Sequence, residues 1–173
     1  LYDPSYRIEL LTTVPNTAIN ALVVGSDGAL YATGYNTGEI LKIDTPAAPG
    51  PQTATVFSSG IAYATGITTT DSGRMFATSS TGPASSIYEI FPDGTASTFS
   101  TGYSYPTSIT SVGNDLYITN SGDGTIDRID STTGAITTII SGTSSLTNPF
   151  GISTNEVDTL YFLDHASGNI YSS

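Results

Sequence analysis

An apolar residue followed by a second apolar or aromatic one recurs four times in the same setting, as Leu30-Tyr31, Met75-Phe76, Leu116-Tyr117 and Leu160-Tyr161. The pairs lie 45, 41 and 44 residues apart, and short runs rich in β-branched and aromatic residues surround each one. A period of about 40–45 residues built from such runs is that of a four-stranded supersecondary unit, repeated so that neighbouring units bury each other's faces. Gly, Asp, Asn, Ser and Pro punctuate the runs, as hairpin turns require.

In the first repeat the pattern predicts strands over Ile19 to Val24, Leu30 to Thr33, Glu39 to Ile43 and Thr53 to Phe57. The second gives Gly66 to Thr69, Met75 to Thr78, Ser86 to Ile90 and Thr95 to Phe99, and the third Thr107 to Thr110, Leu116 to Thr119, Thr125 to Ile129 and Ile136 to Ile140. The fourth supplies Phe150 to Ser153, Leu160 to Leu163 and Asn169 to Tyr171, with no outer strand. The expectation is an all-β chain, a small β-propeller of four repeats in one domain over 1–173, with repeats at 18–60, 61–102, 103–145 and 146–173. Residues 1–15, through Tyr6 to Val14, are expected to complete the last blade and cover its edge. The same strand, donated to a neighbouring chain, would give an eight-bladed dimer or a fibre. The stretch Thr45-Pro46-Ala47-Ala48-Pro49-Gly50-Pro51 reads as an extended outer loop.

Two segments carry a resemblance. Asp27-Gly28-Ala29-Leu30-Tyr31-Ala32-Thr33 followed by Gly38-Glu39-Ile40-Leu41-Lys42-Ile43-Asp44 looks like an NHL-type repeat. Leu116-Tyr117-Ile118-Thr119-Asn120 with Gly124-Thr125-Ile126-Asp127-Arg128-Ile129-Asp130 is similar to repeats of NHL, gluconolactonase-like and streptogramin-lyase-like propellers. The resemblance runs from Ala18 onward and implies the fold; those families usually have six or seven blades, so it carries little about activity. Metal-dependent gluconolactonase-like propellers hold an ion on the central axis, and the residues here that such a likeness implies are Asn20, Asn120 and Asp164.

The chain has 4 Lys plus Arg against 15 Asp plus Glu, for a net charge of -11, which repels nucleic acid and anionic membrane surfaces. There is no cysteine, hence no disulfide and no thiolate chemistry. Ser and Thr make up nearly a third of the residues while only 11% are charged, a balance that suggests a secreted or surface-exposed protein. The absence of an initiator Met and of an apolar targeting run fits a processed secreted chain or an excised segment. No run is long and apolar enough to span a bilayer, and no Asn-x-Ser/Thr sequon occurs.

Strand order places the loops after each second strand on one face with the loops between repeats. That face is expected to carry Tyr35, Asn36, Tyr63, Tyr103, Tyr105, Asp164 and His165. The tyrosines either stack on sugar rings or contact a protein, or else cap blade ends and fill gaps between blades. His165 is the only histidine, and adjacent residues on a strand point to opposite sides, so Asp164 and His165 form a poor dyad. The loop Asn120-Ser121-Gly122-Asp123-Gly124 reads as a turn, or with Asp164 as a Ca²⁺ site through Asn120, Asp123 and Asp164. With little equipment for stabilising a reacting anion, the sequence favours a non-enzymatic binding or assembly module for protein or glycan. A divalent-metal lactonase-like hydrolase or lyase, and a lectin, are the alternatives.

Overall fold

The structure is a computed structural model, and it describes residues 10–44, 51–141, 146–155 and 159–173. Alternation of apolar and polar residues between Gly-centred turns produces fifteen strands among them. The first sheet holds β1 (Ile19–Val24), β2 (Leu30–Gly34), β3 (Glu39–Ile43) and β4 (Ala54–Ser59). The second holds β5 (Ala64–Thr69), β6 (Met75–Ser79), β7 (Ser85–Ile90) and β8 (Ala96–Tyr103). The third holds β9 (Pro106–Val112), β10 (Asp115–Asn120), β11 (Thr125–Asp130) and β12 (Ile136–Ile140), and the fourth β13 (Pro149–Thr154), β14 (Leu160–Asp164) and β15 (Asn169–Ser172). Each sheet is an antiparallel meander in sequence order. They are the four blades of a β-propeller, with β1, β5, β9 and β13 as the inner strands.

The turns explain the sharp reversals. In the second sheet the Asp93 carboxylate accepts from the Thr95 amide at 3.0 Å and from its hydroxyl at 2.7 Å. Gly94, at φ +83°, sits where a Cβ would collide with the Phe57 carbonyl oxygen of the first sheet. Only glycine meets both demands at that position.

Every inner strand carries a register shift near its start, as between Ile19 and Leu22 or Ala64 and Ile67. In three blades a threonine of the second strand fills this bulge: Thr33 Oγ1 accepts from the Ala21 amide at 2.9 Å, Thr78 Oγ1 from Gly66 at 2.8 Å and Thr119 Oγ1 from Ser108 at 3.1 Å. In the fourth blade Leu163 occupies that position.

Consecutive inner strands pack side by side, β1 on β5, β5 on β9 and β9 on β13. Among the described residues no packing of like extent joins β13 to β1. The apolar layers between blades form the core: Tyr31, Ile40, Ile67 and Met75 between the first and second, Phe76, Ile87, Leu116 and Ile118 between the second and third, and Ile126, Leu160 and Phe162 between the third and fourth. Arg74 ties the second junction from outside. Its guanidinium donates to both Glu89 oxygens at 2.7 and 2.8 Å and to the Ser131 carbonyl, and lies over the Phe76 ring at 4.9 Å.

The expected closing strand, placed within residues 1–15, falls largely outside the described residues. Of the segment Tyr6 to Val14, residues 6–9 lie outside the described residues, and Leu10 to Val14 form no strand. Leu11 and Val14 pack instead on Ala32, Leu41 and Ile43 of the first sheet, and the Gln52 amide donates to the Leu11 carbonyl at 2.6 Å. The turn at Pro15 and Asn16, the latter at φ +59°, folds this segment back over the nearest bare apolar face, that of the first blade. The fourth sheet has three strands among the described residues. Residues 45–50 of the Pro-rich stretch lie outside them.

Candidate functional site: the mouth of the propeller

The bulges push the start of each inner strand toward the common axis, and the following loop brings up the residue after each second strand. A cavity of about 280 Å³ opens there, lined by all four blades. Asn20, Thr65, Thr107 and Phe150 hold the same place on the four inner strands, and Tyr35, Ser80, Ser121 and His165 follow the four second strands. Seven of these eight, with Tyr105 in place of His165, line the cavity. None of the lining side chains carries a formal charge at neutral pH.

The rim repeats one hydrogen bond four times. The amides of Tyr35, Ser80, Ser121 and His165 donate to the carbonyls of Ala18, Tyr63, Tyr105 and Asn148, at 2.8, 3.0, 3.1 and 2.9 Å. Tyr63 and Tyr105 make theirs in the left-handed region, at φ +51° and +47°, which costs a non-glycine residue of the order of 1 kcal/mol. This turns both side chains outward, where they are half exposed. Tyr35 and Tyr63 contact each other with ring centroids 5.3 Å apart, and Phe150 meets His165 at 5.5 Å. The rim is thus aromatic and the floor is hydroxyl and amide.

The floor also fastens blade to blade. Thr65 Oγ1 donates to the Pro106 carbonyl at 2.9 Å, and Thr107 Oγ1 to the Phe150 carbonyl at 2.8 Å.

Of the residues expected on this face, Tyr35, Tyr63, Tyr105 and His165 are brought together at the rim. Asn36 is spent on the chain leading into β1, donating to the Asn16 carbonyl and accepting from the Ala18 amide, each at 2.7 Å. Tyr103 is not a surface residue. It is 1% exposed in the core between the second and third blades, donates to Ser100 Oγ at 2.9 Å, and burial pushes its phenol up to about 12. Phe150 and the hydroxyls of Thr65, Thr107, Ser80 and Ser121 were not singled out as site residues from the sequence. Their signal is position: each recurs at a fixed offset from its bulge.

The residues expected around a cation are divided. Asp164 is buried and serves the loop into its own blade, accepting from the Asn148 amide at 2.5 Å and the Ser167 amide at 3.1 Å. Burial opposes its ionisation, but the hydrogen bonds from Ser167, Asn148 and Thr147 outweigh it and hold the carboxyl below the usual range. Asn120 occupies the corresponding place in the third blade, where its Nδ2 donates to Asp127 Oδ2 at 2.7 Å. Asn120 Oδ1 and Asp127 Oδ1 are buried without a partner. Asp123 is exposed in the turn beyond. No three His, Cys, Asp or Glu among the described residues gather as a metal-ligand group.

Blades stacked around an aromatic-rimmed mouth define this chain as a β-propeller. Among solved structures it is similar to virginiamycin B lyase from Staphylococcus aureus, at 24% identity and TM-score 0.68, over 92% of this chain and 56% of that one. It is similar as well to a chain of a nidogen/laminin complex, at 14% identity and TM-score 0.63 over 94% and 78%, and to the WD40 repeats of RRP9, at 12% and 0.72 over 95% and 50%. The chain spans a little over half the length of the lyase, and at these identities the likeness is one of fold. No family model and no curated protein matches the chain.

Proposed function

We propose that this propeller is a non-enzymatic extracellular binding module whose mouth takes a neutral, hydroxyl-rich ligand, a glycan. The observation that carries the reading is the uncharged lining of the mouth on a chain of net charge -11. A sugar presents flat C–H faces to aromatic rings and hydroxyls to Asn20, Thr65, Thr107, Ser80 and Ser121, so the two halves of the lining match the two halves of the ligand. The cavity is at the small end of ligand sites, suiting a terminal sugar rather than a long chain. A glycan array followed by calorimetry tests this: a neutral saccharide binds, Tyr35→Ala and Tyr105→Ala each weaken it about tenfold or more, and Tyr161→Ala leaves it unchanged. An array without hits, or binding indifferent to Tyr35 and Tyr105, overturns it.

A second reading, a divalent-metal hydrolase or lyase, is favoured by one observation, the unpartnered buried oxygens of Asn120 and Asp127. Two oxygens are few for Ca²⁺, which takes six to eight. Millimolar Ca²⁺ or Mg²⁺ raising Tm supports this reading, because an ion that binds only the folded chain stabilises it; an unchanged Tm removes it.

A further inference from the structure

The polar side chains on the floor of the mouth are not equally free to meet a ligand. Thr65 and Thr107 spend their hydroxyl protons on the Pro106 and Phe150 carbonyls of the next inner strands, at 2.9 and 2.8 Å. Each also stands against a buried threonine of its own blade, Thr65 with Thr78 at 2.9 Å and Thr107 with Thr119 at 3.0 Å. Ser121 Oγ donates to the Tyr105 carbonyl at 3.0 Å. Among the described residues, the Ser80 hydroxyl and the Asn20 carboxamide are the floor groups left uncommitted.

Asn20 departs from its counterparts. By register it holds the place of Thr65 and Thr107, yet it makes neither of their bonds. Thr33 Oγ1 below it takes only the Ala21 amide, at 2.9 Å, and Asn20 donates to no carbonyl of β5 among the described residues. A threonine at this place serves the junction between blades. Asparagine instead presents an acceptor and two donors on neighbouring atoms to the cavity, which Tyr35 lines from the same blade.

We propose that Asn20 is the specificity-determining residue of the mouth, and that it reads two hydroxyls on adjacent carbons of one sugar, one axial and one equatorial; the inference rests on the glycan reading of this site. One hydroxyl donates to Asn20 Oδ1 and its neighbour accepts from Nδ2. Neither threonine can offer that pairing, since a single oxygen whose proton is already given away can only accept. The aromatic rim narrows the choice further. A pyranose stacks on a ring such as that of Tyr35 through a face free of hydroxyls, and an axial hydroxyl turned to the opposite side leaves that face bare while keeping the pair at the edge. The ligand class is therefore a terminal galactose-type sugar, not a glucose-type one, whose hydroxyls are all equatorial. A sugar without the axial partner leaves the carboxamide out of water and half paired, which is how a polar site rejects a near-identical ligand.

Calorimetry with methyl β-galactoside and methyl β-glucoside, which differ in that one axial hydroxyl, tests this on the intact chain. The native chain is expected to favour the galactoside about tenfold or more, and Asn20→Ala and Asn20→Thr each to lose that preference. Asn20→Thr keeps Tm or raises it, because it supplies the hydroxyl that the second and third blades use, so lost binding is not lost folding. Galactoside binding that depends on Tyr35 but ignores Asn20, or that shows no preference over the glucoside, overturns this inference and leaves the glycan reading standing. If neither pyranoside binds, this inference falls, and the wider glycan array decides the reading it rests on.

Discussion

The second and fourth blades have the same local sequence pattern and meet different fates. In the second, Phe76, Thr78 and Ile87 are wholly buried against the third blade, and Thr65 fastens the inner strands together. In the fourth, Tyr161, Leu163 and Ile170 hold the corresponding places and face solvent. Pairing within a blade follows from alternation and turn chemistry, which both blades possess. Burial follows from having a neighbour, which the fourth blade has on one side only among the described residues. A repeat chain of this kind draws its stability from its junctions, so equal residues contribute unequally.

The largest expected contrast is between Ile87→Ala and Ile170→Ala. The first leaves a cavity beside Phe76 and Leu116 and costs about 2–5 kcal/mol by denaturant unfolding, while the second, at an exposed side chain, stays within about 0.5 kcal/mol. Equal costs would break the comparison. Next comes Tyr103, at the second junction. Its phenol titrates near 10 when unfolded and about 12 when folded, so its contribution is fully present below pH 10 and is lost as pH rises through 12. The loss amounts to about 2–3 kcal/mol, and Tyr103→Phe flattens the stability profile in that window.

Arg74→Met should cost about 1–3 kcal/mol, because it leaves the half-buried Glu89 carboxylate and the Ser131 carbonyl without their donor. Arg128→Met, whose pair with Asp115 lies at the surface, should leave Tm unchanged. The smallest effect is that of Thr107→Val, about 1 kcal/mol for the fastener between the third and fourth blades. A larger loss there would show that the fourth blade depends on this hydroxyl more than on its apolar layer.

The strands were legible in the sequence because each carries its own evidence: Ile19 to Val24, Glu39 to Ile43 and Ile136 to Ile140 match the observed bounds. The misreadings concern what lies across a junction. Tyr103 was assigned to a surface loop because the strand was ended at Phe99, yet β8 runs on to Tyr103 and the third blade covers it. Asp164 was expected to face a ligand or a cation, but the loop from the third blade consumes its carboxylate. Leu11 and Val14 have a strand's composition and went to the nearest bare face. At the mouth the tyrosines were visible as residue types. Phe150 and the threonines were not, since their meaning depends on a bulge that places four distant positions around one axis.

Hydrogen exchange, read strand by strand, tests the dependence of stability on junctions most directly. The amides of β7, between two neighbours and under the third blade, are expected to exchange only through global opening, and those of β15 many times faster through local opening of the fourth blade. Equal protection of β7 and β15 would contradict this, since it would mean that a blade is stable without the neighbour that buries its face.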